Sequence, residues 1–165
     1  MPLPPIVSIV GKSNAGKTTL IEKLVPWLVK KGLKVGTIKH DVHGFELDKP
    51  GKDSYRHKHA GASASIISSP TQIGMVMDAD HDHTIEEVVG RFYGHLDLVV
   101  TEGYKRESWP KIEIHRKELL RPLLATPNEG LIALVTDEPM PVDVPHFSLD
   151  DAEAVADFVM EYYGL

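Results

Sequence analysis

The sequence contains no cysteine among its 165 residues. It therefore forms no disulfide, holds no metal through thiolates and has no cysteine nucleophile. It also lacks an apolar run of about 18 residues, the length that a membrane-spanning helix needs. The opening MPLPPIVSIV has neither the basic segment nor the cleavage site of a secretory signal peptide. We therefore predict a cytoplasmic protein with no membrane partner.

Positive charge is also in short supply, since 18 Lys and Arg face 24 Asp and Glu and the net charge is −6. An acidic surface repels a phosphate backbone, which argues against nucleic acid as a partner. The sequence shows no internal repeat, no low-complexity tract and no interdomain linker. A chain of this length then predicts one domain, residues 1–165.

Short β-branched runs alternate with helical patterns along the chain. The runs are nearly continuous in apolar character, which is typical of strands buried on both faces. Alternation of this kind predicts right-handed crossovers, a mostly parallel sheet and helices on both sides, an α/β fold. The predicted strands are residues 6–10, 35–38, 65–68, 73–77, 96–101, 112–115 and 131–136, and the predicted helices are 18–31, 53–60, 84–94 and 148–163.

Three local signals refine the predicted helices. Pro26 lies inside the first helical pattern, where it removes a hydrogen bond and is expected to kink or end the helix. Thr84 is followed three residues later by Glu87, and Ser148 by Asp151. This spacing is that of a capping box, so we predict that Thr84 and Ser148 open their helices.

The segment after the first strand reads GKSNAGKT and matches the phosphate-binding loop pattern Gly-x4-Gly-Lys-Ser/Thr. The two glycines permit a tight turn and a close approach to phosphate, while Lys17 supplies charge and Thr18 a hydroxyl for Mg²⁺. The motif predicts the three-layer α/β/α fold of P-loop NTPases. The predicted nucleotide-binding residues are Gly11, Lys12, Ser13, Asn14, Ala15, Gly16, Lys17, Thr18 and Thr19.

Lys12 has two interpretations. Some dimeric P-loop enzymes carry a lysine here that reaches the partner subunit's nucleotide. In this sequence Ser13 and Asn14 stand where those enzymes have glycines. A solvated loop lysine is therefore the favoured interpretation.

P-loop chemistry also needs carboxylates at neighbouring strand ends to hold Mg²⁺ or orient water. Glu102 ends the run LDLVVTE, and Asp41 follows the second predicted strand. We predict that Thr18, Asp41 and Glu102 bind Mg²⁺, and that Lys17, Glu102 and Asp41 are catalytic. A turn-capping role is the alternative for Glu102. Asp97, at the opposite strand end, is expected to be structural.

Three further features of the sequence concern base recognition, metal binding and the rate of hydrolysis. Asp137 follows a predicted strand, where its carboxylate suits the two donors of a guanine edge, although a turn aspartate is the alternative. The run Asp80-His81-Asp82-His83 is interpreted as a solvated turn. The sequence shows no convincing arginine finger beside the loop, which predicts slow hydrolysis.

The polar segment of residues 39–62 is too long for an idle connection. Its Lys49, Lys52, Arg56 and Lys58 suit an anionic ligand, such as a pterin phosphate, or a partner's acidic face. A solvated surface loop is the alternative.

The P-loop, IKHDVHGFELDKPGKDSYRHKHAGA, LDLVVTEGYK and PKIEIHR together resemble the MobB-type molybdopterin-guanine dinucleotide biosynthesis adaptors. The resemblance implies a dimeric GTP-binding protein with weak GTPase activity. Such proteins assist the molybdopterin guanylyltransferase that attaches GMP to molybdopterin, and molybdopterin itself is a further candidate ligand. The implied functional loop contains Lys39, His40, Asp41, Asp48, Lys52, Asp53 and Ser54, and Glu102-Gly103 is the implied Walker-B-like end.

Two other functions remain open. A small-molecule kinase would use residues 39–62 as the acceptor site and Asp41 as base. A metal-insertion GTPase would carry its ion on the His and Asp clusters.

Overall fold

The computed structural model describes residues 2–165, and the predicted strands and helices are found there. The strands 6–10, 73–77 and 131–136 have the predicted bounds, and the ends of the other elements are shifted. The strands are β1 Ile6–Val10, β2 Val35–Lys39, β3 Ala64–Ser68, β4 Ile73–Met77, β5 Leu98–Glu102, β6 Lys111–His115, β7 Leu131–Thr136 and β8 His146–Phe147. The helices are α1 Lys17–Lys30, α2 Asp53–His59, α3 Ile85–Phe92 and α4 Ala152–Tyr163, and Lys117–Leu119 and Pro127–Glu129 form 3₁₀ turns. Within residues 2–165, every helix is too short or too polar to cross a bilayer.

Six strands form a parallel sheet in the order β2-β5-β1-β6-β7-β8. The order places β1 next to β5 on one side and β6 on the other. Because parallel strands end at the same edge, the residues that follow β1, β5 and β6 meet there.

Helices cover both faces of this sheet, as predicted. On one face α1 and α4 pack together through side chains that include Leu24, Leu28 and Val159. On the other face Ile85 and Val89 of α3 pack against the sheet. The three-layer α/β/α architecture is therefore confirmed.

Contacts divide the chain into two compact units, Met1–His40 with Ile85–Leu165 and Asp41–Thr84. The smaller unit contains α2 and the antiparallel hairpin of β3 and β4. The prediction that all strands are buried on both faces is wrong for this hairpin, where Ile66 is 61% and Ile73 77% exposed. A hairpin has neither flanking strands nor helices on both faces to bury such residues. The prediction of one domain over residues 1–165 stays a prediction.

The observed ends of α1 and α4 differ from two predictions made from the sequence. Pro26 does not end α1 early, since the helix continues to Lys30. Ser148 does not open α4. Asp151 is the N-cap, and its carboxylate accepts the Ala154 N–H at 3.1 Å.

A buried lysine ties together the loops at the start of β6. The Lys111 ammonium, on a residue only 2% exposed, donates to the carbonyls of Glu107, Trp109 and Glu129. Burial lowers the pKa of Lys111 from its ordinary value. The three carbonyl contacts compensate the buried charge and hold two connecting segments against the sheet.

Candidate functional site

The loop between β1 and α1 is shaped by two close approaches. Gly11 lies so near β6 that an added Cβ would stand 2.7 Å from the Ile114 carbonyl oxygen. Gly16 has a φ of 103°, a left-handed conformation that favours glycine, and α1 begins at the next residue. The loop therefore wraps the N-terminus of a 14-residue helix, where oriented N–H groups attract an anion.

Lys17 folds back over this loop. Its ammonium donates to the carbonyl oxygens of Gly11 and Lys12, each at 3.1 Å. The positive charge of Lys17 is thereby held at the loop, close to the N-terminus of α1.

Thr18 and Glu102, 84 residues apart in sequence, meet beside the loop. The Thr18 hydroxyl lies 3.1 Å from one carboxylate oxygen of Glu102 and 3.0 Å from the other. β1 pairs with β5 so that Ile9 lies opposite Glu102. This register places the Glu102 carboxylate at the edge of the sheet where the loop lies. A hydroxyl and a carboxylate are the oxygen ligands that Mg²⁺ prefers, so the donor set fits the metal.

Asp97 lies at the other end of β5, and its carboxylate accepts the Lys34 N–H at 2.7 Å. The expected structural role of Asp97 is confirmed.

Asp41 is the first residue of the smaller unit. Its carboxylate accepts the His43 N–H at 2.9 Å, which closes a local turn. Its metal-binding and catalytic roles stay predictions. In the larger unit, His40 stacks on Tyr104 with ring centroids 4.6 Å apart.

The smaller unit contains a cavity of about 730 Å³. Ser54 lines it and is 7% exposed, and its hydroxyl has no hydrogen-bond partner among residues 2–165. Members of the implied functional loop line the same cavity, namely Asp48, Lys52, Asp53 and Ser54. Lys39 and His40 belong to the larger unit, and Asp41 does not line this cavity. The other residues of the implied functional loop share this concave surface.

Asp137 lies exposed directly after β7. One of its carboxylate oxygens accepts the Lys117 N–H at 2.8 Å. The carboxylate is therefore held in place by the chain that follows β6, and its base-reading role stays a prediction.

Asp80, His81 and His83 bring one candidate ligand atom each within 4.8 Å of one another. The hydrogen bond from His81, at 2.7 Å, lowers the pKa of the exposed Asp80 carboxyl. The interpretation of this run as a solvated turn stays a prediction.

Arg116 was not predicted from the sequence. Its Nε donates to the Ala15 carbonyl at 2.8 Å, so an arginine lies beside the loop. The absence of an arginine finger stays a prediction. The available sequence signal was its position directly after a predicted strand. Only the fold shows that this strand neighbours β1, at the edge where the loop lies.

Glu113 was also missed, since nothing marks it within the apolar run of β6. It is 1% exposed, and its carboxylate accepts the N–H groups of Leu124 at 2.7 Å and Ala125 at 3.0 Å. Burial raises the pKa of Glu113, although these two bonds act in the opposite direction.

The sequence also matches known proteins. Residues 6–137 match the sequence model of the family MobB, molybdopterin guanine dinucleotide synthesis protein B. The chain is 36% identical over 156 residues to the molybdopterin-guanine dinucleotide biosynthesis adapter protein of Haemophilus influenzae, covering 94% of this chain and 87% of the relative. It is 35% identical over 162 residues to the adapter protein of the same name from Escherichia coli, covering 96% and 93%.

Solved structures resemble the fold closely. A crystal structure of molybdopterin-guanine biosynthesis protein B superposes with a TM-score of 0.76 at 27% identity, covering 95% of this chain and 99% of the other. Bacillus subtilis MobB gives 0.74 at 29% identity, with coverages of 95% and 96%. From the family match, the two relatives and these folds together, the chain belongs to the MobB family.

Proposed function

We propose that this protein is a GTP-binding adaptor with weak GTPase activity that assists attachment of GMP to molybdopterin. The adapter role is taken from its relatives, which are named molybdopterin-guanine dinucleotide biosynthesis adapter proteins. The observation that carries the nucleotide proposal is the Thr18–Glu102 contact beside a loop bounded by Gly11 and Gly16. This arrangement puts oxygen ligands next to an anion cradle.

The roles of the chain's own residues follow from their positions. Main-chain N–H groups of residues 11–19 and the Lys17 ammonium bind the phosphates. Thr18 and Glu102 hold Mg²⁺, which neutralises phosphate charge when bound. Asp137, at the end of β7, accepts hydrogen bonds from the guanine edge. Glu102 also orients the attacking water.

An adaptor needs a surface for other proteins, and the smaller unit supports this part of the proposal. Its exposed side chains include Phe45, Leu47, Ile66, Ile67 and Ile73. Exposed apolar surface of this kind is typical of interaction sites. The proposed partners are the molybdopterin guanylyltransferase, other molybdenum-cofactor proteins and a second copy of the chain, all in the cytoplasm, with molybdopterin as a further ligand.

Calorimetric titration with GTP and ATP in the presence of Mg²⁺ tests the nucleotide proposal. Lys17→Ala is expected to weaken GTP binding at least about 100-fold, because it removes a charge-assisted phosphate contact. Lys34→Ala is the matched control, since Lys34 is exposed before β2, at the opposite edge of the sheet. Unchanged GTP affinity in Lys17→Ala would refute the phosphate site.

The adaptor part is tested by adding the protein to a guanylyltransferase assay. GMP transfer to molybdopterin should rise with wild type and rise less with Lys17→Ala. No stimulation by wild type would refute the adaptor role.

The cluster of Asp80, His81 and His83 favours a second candidate, a metal-insertion GTPase. That function predicts stoichiometric Ni²⁺ or Zn²⁺ after dialysis and elemental analysis. Loss of this metal in a His81→Ala, His83→Ala double variant would support it, and metal-free wild type would eliminate it.

A further inference from the structure

Arg116 occupies a position that the P-loop motif does not explain. It directly follows β6, which pairs in parallel with β1 and runs alongside the start of the loop. The close approach of Gly11 to the Ile114 carbonyl marks the same junction. The chain after β6 therefore reaches the phosphate loop from the side away from β5, Thr18 and Glu102.

The guanidinium touches the end of the loop where α1 begins. Nε donates to the Ala15 carbonyl at 2.8 Å, and an added Cβ on Gly16 would lie 3.3 Å from Nη2. Ala15 is completely buried, which fixes the carbonyl that orients the arginine. Arg116 is thus anchored at the helix N-terminus, where anions are favoured.

The anchoring bond uses only one edge of the guanidinium. Among residues 2–165, its terminal nitrogens make no hydrogen bond. Lys23 and, more weakly from beyond ion-pair distance, Arg116 lower the pKa of the exposed Asp150 carboxyl. Arg116 is partly exposed, so these donors reach solvent. A guanidinium fork with free terminal donors matches the spacing of phosphate oxygens.

Resting on the proposed nucleotide function, we propose that Arg116 is a second cationic ligand of the nucleotide and binds its α/β-diphosphate. Lys17 supplies charge to the β- and γ-phosphates from within the loop. Arg116 supplies it from β6, at the loop end near the helix, where the α- and β-phosphates are bound. The diphosphate is then enclosed between the Thr18–Glu102 side and the Arg116 side.

This assignment makes a specific prediction about ligands. Because GTP and GDP share the α- and β-phosphates, Arg116→Gln should weaken both by a similar factor, roughly tenfold or more. Inorganic pyrophosphate should compete less well for the variant than for wild type. Affinity should also depend less steeply on salt in the variant, since one screened charge contact is gone.

Calorimetry with GTP, GDP and pyrophosphate at two salt concentrations tests the proposal. Arg121→Gln is the matched control, because Arg121 is an exposed arginine of the same unit. Arg116→Lys keeps the charge without the fork and should fall between wild type and Arg116→Gln. Thermal unfolding is measured for each variant, and if Arg116→Gln does not fold, Arg116→Lys carries the test.

The outcomes separate this proposal from the one that it depends on. If wild type binds no nucleotide, the proposed function itself fails. If wild type binds and Lys17→Ala does not, while Arg116→Gln binds GTP and GDP normally, only the Arg116 assignment fails. Weakening of GTP alone overturns the α/β assignment in favour of the γ-phosphate. Equal weakening with an unchanged salt dependence shows that Arg116 only braces the loop.

Discussion

The two units of the chain begin from similar sequence patterns and reach different environments. β1 and β3 are both five-residue strands that contain isoleucines, IVSIV and ASIIS. Every residue of β1 is buried, whereas Ile67 of β3 is 54% exposed. β1 has strands on both sides and helices on both faces, but β3 pairs only with β4. An apolar run therefore specifies a strand, while the number of neighbouring layers decides how far it is buried.

The largest expected effect is a loss of stability when a buried leucine is truncated, compared with an exposed one. Leu24 of α1 is 0% exposed, and Leu47 of the smaller unit is 70% exposed. Leu24→Ala should lower the free energy of unfolding by about 3 kcal/mol, because it leaves a cavity in the core. Leu47→Ala should change it by less than about 0.5 kcal/mol. Urea denaturation followed by circular dichroism measures both, and equal losses would remove the contrast between the units.

The second prediction tests whether GTP hydrolysis depends on residues of the larger unit alone. Glu102→Gln should leave GTP affinity nearly intact but slow GTP hydrolysis roughly 100-fold, because the variant loses the charge that orients water. Asp41→Asn, in the smaller unit, should slow hydrolysis less. Phosphate release under single-turnover conditions measures both rates. An equal loss in the two variants would mean that both units contribute equally, and collapse of binding in Glu102→Gln would make that residue structural.

A pair of glycines sharpens the comparison at the level of the backbone. Gly11→Ala sets a Cβ against a main-chain oxygen of β6 and should cost about 1–3 kcal/mol, with loss of GTP binding. Gly74, in β4, has open space around an added Cβ. Gly74→Ala should therefore be neutral or stabilising by up to about 1 kcal/mol. Thermal and urea unfolding measure both changes, and equal stabilities of the two variants would mean that the loop tolerates the methyl group.

The smallest expected effect concerns the base. Asp137→Asn should reduce the preference for GTP over ATP roughly tenfold, because an amide cannot accept two hydrogen bonds from guanine as a carboxylate does. Asp143→Asn is the control on a neighbouring exposed aspartate. The ratio of the two dissociation constants is the measurement, and an unaltered ratio would move base recognition away from β7.

The sequence predicted most of the larger unit because its signals are local. The β-branched run before Gly11, the spacing of Leu20, Leu24 and Leu28, and the P-loop motif each specify one element by themselves. The contact between Thr18 and Glu102 was also expected, since parallel strand ends share one edge. The two-residue β8 was missed because a strand that short has no period to detect.

Arg116 and Glu113 were not predictable in the same way. Each depends on which strand lies beside β1, and that order is set by packing across the whole sheet. The strands of the β3–β4 hairpin were predicted, but their burial was predicted wrongly for a related reason. Its residues have the composition of buried strands, and only the three-dimensional arrangement shows that nothing within its own unit covers Ile73.

Lys111 links two loops in a chain that has no cysteine to form a disulfide. Small proteins often cross-link distant loops with sulfur. Here one ammonium group joins the carbonyls of Glu107 and Trp109 to that of Glu129, which lies 18 residues beyond Lys111 in sequence. Such a clamp is assembled by folding alone and needs no oxidant. Thiol reagents and swings in glutathione potential should consequently leave it untouched.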